Sequence, residues 1–235
     1  MAEWAAKRFW KETTVAEAGG GYTVHLDGRA VRTPAKAPLV VPSRELADWI
    51  ASEWEAQENE INPNTMPATR SANAAIDKVT IQHAEVADML AEYGDSDLLC
   101  YRADFPTDLI NRQAASWDPI LEWAEGALSA KLTPRSGVIH APQDPDALAR
   151  LSALTHEFDA FQLTAFHDLV GLSGSLILGF AVTQGYLDPN EAWRLSRIDE
   201  DFQVEQWGED EEAAEAAEVK RQSFLHAARF YCLVK

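Results

Sequence analysis

Residues 169–187 read LVGLSGSLILGFAVTQGYL, nineteen positions without a charged side chain, and this run constrains the fold more than any other feature. A stretch of that length is either a membrane span or the centre of a buried core. Ser173, Ser175, Thr183, Gln184 and four glycines dilute its hydrophobicity. It is therefore read as the central buried helix of a soluble bundle, whose small residues let neighbouring helices approach closely. A chain of 235 residues can bury such a helix, in one large domain or two smaller ones.

The first sixty residues follow a different pattern. Tyr22, Val24 and Leu26 alternate with Thr23, His25 and Asp27, Asp27-Gly28 makes a turn, and residues 30–33 complete a hairpin. PLVVP at 38–42 reads as a third short strand. Glycines 19–21 lack the following Gly-Lys-Ser/Thr of a phosphate loop and read as a flexible turn. Ser43 is a good N-cap for a helix in which Leu46, Trp49, Ile50 and Trp54 recur at helical spacing.

INPNTMP at 61–67 breaks that pattern and marks a domain boundary. Beyond it, helices are expected at about 67–93, 106–130, 144–166, 168–186, 189–207 and 209–230. Residues 131–142 interrupt the series and are a candidate strand returning to the N-terminal sheet. The expected fold is α+β: a small β-rich N-terminal domain over 1–62, with one helix at about 43–60, then a larger mainly helical domain over 63–235.

The net charge of −18 argues against binding a phosphate backbone, which needs clustered Lys and Arg, and against docking on an anionic membrane. It suits a basic or apolar partner. Cys100 and Cys232 stand far apart and read as reduced thiols of an intracellular protein. MAEWAAKRFWKE at the N-terminus has neither an apolar signal core nor an Arg/Ser-rich presequence.

Signatures of catalysis are missing. His83, His140, His156, His167 and His226 stand alone, so no metal is expected, and HEFD at 156–159 lacks a second histidine. GLSGS at 171–175 lacks the glycine spacing of a nucleophile elbow. Neither a Walker lysine nor a Gly-x-Gly-x-x-Gly stretch occurs, and no cofactor is expected.

What remains is acidic. From Asp199 to Glu218, ten of twenty residues are Asp or Glu and none is Lys or Arg, yet Phe202, Val204 and Trp207 sit among them. On one helix over 189–207, Leu195, Ile198 and Phe202 share a core face, with Glu205 close enough to it to be partly buried. Glu200, Val204 and Trp207 gather on the opposite side, and Asp199, Gln203 and Gln206 form a polar flank. Gly208 suits a C-cap, and the acids at 209–212 suit the positive end of a new helix. That electrostatic account does not reach Asp199, Glu200 and Asp201. Arg197 can pair with Asp201 at i,i+4, worth only about 0.2–0.5 kcal/mol. A mixed acidic and aromatic face fits recognition better than catalysis, because Trp anchors and carboxylates select a basic rim.

Several stretches together resemble one family. They are RFWK (8–11), LDGRAVRTPAKAPLVVPS (26–43), EWEAQ (53–57), INPNTMPATRSANAAID (61–77), DLLCYRAD (97–104), WDPILEWA (117–124) and LSRIDEDFQVEQWG (195–208). The chain resembles the assembly chaperones for the α subunit of the catalytic sector of F-type ATP synthase, called F1 complex assembly factor 2 in mitochondria. The resemblance implies a non-enzymatic chaperone with a β-containing N-terminal domain and a helical C-terminal domain. Such a chaperone binds the unassembled α subunit, shields the surface later offered to β, and is a monomer when free. The family's acidic motif carries over to Glu200, Asp201, Gln203 and Trp207, with Arg197 beside them, and Val204 and Glu205 complete the candidate face. The lack of a presequence points to a bacterial cytoplasm, where eukaryotic relatives work in the mitochondrial matrix.

Two other readings remain at this stage. A carboxylate-dependent hydrolase would place Glu200 or Glu205 in an enclosed pocket beside a distant histidine or metal. An oligomer-forming protein would pack the Trp207 face against its own copy, although like charges would then oppose each other across a twofold.

Overall fold

The structure, a computed structural model, describes residues 7–137 and 139–235. The first six residues of the expected N-terminal domain, and Val138, lie outside the described residues. The fold is a small antiparallel sheet followed by a mostly helical chain, as the sequence patterning predicts. Two compact units result: Met1–His83 with Ala160–Ala165 and Arg229–Lys235, and Ala84–Asp159 with Phe166–Ala228.

In the first unit, β1 (Thr13–Ala18), β2 (Gly21–Leu26) and β3 (Arg29–Ala30) pair antiparallel in that order, Thr13 facing Leu26 and Ala18 facing Gly21. Both connections are two-residue turns. Gly19-Gly20 (φ +59° and +88°) and Asp27-Gly28 (φ +47° and +76°) adopt the left-handed backbone that matches the twist of a hairpin. The turn expected at Asp27-Gly28 is present, and Asp27 Oδ1 further accepts the backbone N–H of Lys11 and Glu12. β1 was not expected: its Ala16, Glu17 and Ala18 are poor strand formers, held by pairing with β2. The third strand expected at 38–42 is reduced to isolated bridges, Tyr22 with Val41 and Arg32 with Pro38, since its prolines cannot donate to a ladder.

Ser43 caps α1 (Arg44–Glu55) by accepting the Leu46 N–H at 3.2 Å, and Leu46 and Ile50 are buried. The break at 61–67 is real, but α2 (Pro67–Ala74) belongs to the same unit as α1. The cause is Glu53, a buried carboxylate on α1 that accepts the N–H of Ala68 and Thr69 and the Thr69 hydroxyl, at 2.6, 2.8 and 2.7 Å. It satisfies the first turn of α2 and ties the two helices together, so the unit boundary falls at 83–84 rather than 62–63. The single helix expected over 67–93 is interrupted. A π-turn over Ala75–Val79 follows α2, and α3 (His83–Ala91) starts afresh.

In the second unit, β4 (Tyr101–Arg102) leads into α4 (Thr107–Leu128), which matches the expected helix closely. β5 (Arg135–Ser136) pairs in parallel with β4, not with the N-terminal sheet, which corrects the expectation for 131–142. The helices α5 (Pro145–His156), α6 (Ala160–Ser173), α7 (Leu176–Thr183), α8 (Pro189–Ser196), α9 (Ile198–Trp207) and α10 (Glu211–Val234) follow, with Ala160–Ala165 of α6 and the end of α10 from Arg229 on belonging to the first unit.

The uncharged run is thus two helices, not one. Gly174 (φ +71°) ends α6, and Ser175 caps α7 by accepting the Leu178 N–H. Every residue of α7 except Val182 is buried. Its start rests on Asp97, fully buried, which accepts the Ser175 hydroxyl at 2.8 Å and the Ile177 N–H at 3.0 Å. No helix among the described residues is long and apolar enough to cross a membrane.

Candidate functional site

The acidic stretch begins at a break. The helix expected over 189–207 is divided at Arg197, whose backbone (φ −111°, ψ 10°) is not helical. Just before it, the buried Trp117 of α4 donates its indole N–H to the Leu195 carbonyl at 2.8 Å. Just after it, Gln113 of α4 donates to Asp199 at 2.6 Å. Both contacts tie the α8–α9 junction to a neighbouring helix, and a helix redirected there needs a local departure from regular geometry.

Within α9 the angular reading holds. Ile198 and Phe202 are buried, as is Leu195 at the end of α8. Val204 is 44% exposed and Trp207 80% exposed, on the side away from Ile198. Asp201, Gln203, Glu205 and Gln206 are exposed as well, while Asp199 and Glu200 are half-buried.

Two ion pairs differ from expectation. Arg197 reaches Glu200 at 2.8 Å, not Asp201, because the broken backbone at 197 brings the i,i+3 partner into reach. Its guanidinium also lies 5.9 Å from the Trp193 ring centroid. Glu205, expected to be partly buried, is exposed: Arg112 of α4 draws its carboxylate outward into a two-pronged pair at 2.7 and 2.8 Å. The Arg112 guanidinium holds the Glu205 carboxyl below its ordinary range. It also sits over the Phe202 ring, 5.3 Å from the centroid. Arg112 was not singled out from the sequence, and nothing local could have pointed to a partner 93 positions away.

This arrangement gives no support to catalytic carboxylates. Glu200 and Glu205 are each held by an arginine, with side chains 46% and 52% exposed, rather than enclosed in a pocket. Among the described residues no three of His, Cys, Asp and Glu group together as metal ligands would. The geometry instead offers an indole and a valine side chain standing free of the core, rimmed by Glu200 and Asp201 and held from behind by Arg112.

Comparison with known proteins identifies relatives of the whole chain. A family model described as ATP12 chaperone protein matches residues 7–125, about half of the chain, a segment ending before α9. Protein atp12, mitochondrial, of Schizosaccharomyces pombe is 28% identical over 221 residues, covering 89% of this chain and 76% of its own. The crystal structure of Atp12 from Paracoccus denitrificans is 50% identical, with a TM-score of 0.95 over 99% of this chain and all of that one. An Asp-to-Lys mutant of the P. denitrificans Atp12p superposes with a TM-score of 0.96, at 49% identity and full coverage of both chains.

Proposed function

The chain belongs to the ATP12 chaperone family, and from that premise we propose that it binds the unassembled α subunit of F-type ATP synthase. Chaperoning the assembly of the ATP synthase catalytic sector is the role of the family. In this reading the protein covers the α-subunit face that later meets β, gives it up during assembly, and catalyses no reaction. It acts as a monomer in a bacterial cytoplasm.

The observation that carries the reading is the exposure of Trp207 and Val204 on a helix whose apolar side is already buried through Ile198 and Phe202. An indole left 80% exposed adds little burial to its own fold, and beside the exposed Val204 it makes a small apolar patch of the kind that marks an interaction site. A subunit awaiting its partner has the matching problem, an exposed and partly apolar face prone to aggregation. One aromatic anchor with a carboxylate rim covers such a face. The net strength stays modest, because rim charges are solvated and bring partners together more than they hold them. That balance suits a chaperone that must yield to the permanent partner.

The test is binding of purified α subunit at low and moderate salt, by the wild type and by Trp207→Ala. The wild type should capture α without β, less well as salt rises. Trp207→Ala should keep its helix content and melting temperature but bind at least about tenfold more weakly. An unchanged affinity would remove Trp207 from the contact, and failure to capture α would remove the client.

A further inference from the structure

Between buried Phe202 and buried Phe224 lie twenty-one consecutive residues, 203–223, of which none is buried. They comprise the end of α9, the turn at 208–210 and more than three turns of α10. Only Ala214, Ala217 and Arg221 are half-covered, at spacings of three and four that continue into Phe224 and define the single inward stripe of α10. The opposite stripe carries Glu212, Glu215 and Val219, all exposed, with Val219 at 67%.

This arm holds its shape without a core. Glu and Ala are strong helix formers and fill the start of α10. Asp210 accepts the Ala213 N–H at 2.8 Å. Lower down, Arg221 grips Glu218 at 2.7 and 2.9 Å and reaches Asn190 at 3.0 Å, strapping α10 to the start of α8. Above that strap the half-covered Ala214 and Ala217 give little burial, and intrinsic propensity, the cap and the acids at the positive helix end supply much of what sustains the helix there. From 203 to 219 the arm has no Lys, Arg or His and six Glu or Asp besides the Glu205 that Arg112 neutralises.

We propose that residues 203–223 form one docking arm, in which the outward stripe Glu212–Glu215–Val219 of α10 meets the client together with Val204 and Trp207 of α9. This rests on the client being the α subunit. The occupant the arm fits is a basic-rimmed face of that subunit: seventeen residues without a cation repel an acidic surface, and two valines and one indole supply the apolar contacts. An acidic arm serving only solubility would not need Val219 or Trp207 outward. The dense acidic run is then explained twice, by helix electrostatics at its start and by partner selection along its length.

The experiment is hydrogen exchange of the full-length protein, alone and with purified α subunit, together with binding by Val219→Lys. Lysine is a better helix former than valine, so this exposed substitution leaves the arm helical while placing a cation in the outward stripe. Amides of 211–223 should exchange at least about tenfold more slowly in the complex, and Val219→Lys should bind about tenfold more weakly. A complex that protects 203–207 but leaves 211–223 unchanged would overturn the arm while sparing the chaperone reading, and so would full affinity in Val219→Lys. Absence of any complex would overturn both.

Discussion

Arg112 on α4 and Glu205 on α9 meet in a two-pronged ion pair at 2.7 and 2.8 Å, with the guanidinium stacked over Phe202, the last buried residue before the arm. The pair sets where α9 leaves the core. Glu205, which the sequence offers as a partner contact, is exposed but already paired with Arg112 of its own chain, so its effect on a client would pass through the direction of the helix.

Arg112→Ala should therefore keep the fold, with a small change in melting temperature, because solvent-exposed pairs contribute little. Its signature should be faster exchange of α9 amides and weaker client binding. Glu205→Gln keeps one acceptor for Arg112 and should have the milder effect. A double-mutant cycle on the two positions checks this, since independent effects that simply add would show that the pair does not position α9.

Asp97 should make stability depend on pH. Complete burial raises its carboxyl from 3.8 to about 6, against the bonds from Ile177, Leu99 and Ser175 that favour the charged form. The folded protein therefore takes up this proton where the unfolded chain has already lost it. The associated stability is fully present below pH 3.8 and is lost as pH rises through about 6. At roughly 1.4 kcal/mol per unit, the loss is about 3 kcal/mol. Asp97→Asn cannot titrate. The wild-type advantage over the variant should thus shrink between pH 4 and 7 in urea unfolding, and a constant difference would refute the assignment.

Local signals were legible in the sequence. Ser43 with Leu46 and Ile50 gives α1, Asp27-Gly28 gives the turn into β3, and the division of α9 into a core side with Ile198 and Phe202 and an outward side with Val204 and Trp207 follows from helical period alone. What could not be read depends on contacts between distant residues. The break at Arg197 follows contacts of Trp117 with Leu195 and Gln113 with Asp199, across 78 and 86 positions. Glu53 and Asp97 look like ordinary surface acids until the helix ends they serve are seen. The candidate face was visible as composition, whereas its support by Arg112 was not.

Glu53→Ala should be among the most damaging single changes in the first unit. It leaves the N–H groups of Ala68 and Thr69 and the Thr69 hydroxyl buried without their acceptor. Buried donors left unsatisfied cost about 1–3 kcal/mol each in the worst case, and loss of a cap typically about 1. A net loss of about 2–4 kcal/mol is expected. Thermal unfolding measures it, and a loss below about 1 kcal/mol would mean that water replaces the carboxylate.

Gly179→Ala sets two effects of known size against each other. In a helix, alanine is favoured over glycine by about 1 kcal/mol, so at an exposed site the change would stabilise. In α7 a methyl at 179 would lie 2.9 Å from Phe166 Cε2 and 2.9 Å from Val170 Cγ2, inside contact distance of two buried side chains of α6. Phe166 is locked between Phe158 and Phe180, with ring centroids 4.7 and 4.8 Å away, and cannot retreat without disturbing both. Overpacking of this kind costs about 1–3 kcal/mol, more than the propensity gain in most of that range. The variant should be destabilised by up to about 2 kcal/mol net, the difference of the two effects, lowering the melting temperature by several degrees at the upper end. Client binding by the folded fraction should be unchanged, because α7 carries none of the recognition face. A melting temperature at or above the wild type would show that α6 and α7 can separate at no cost, and that the glycine does not serve close helix approach.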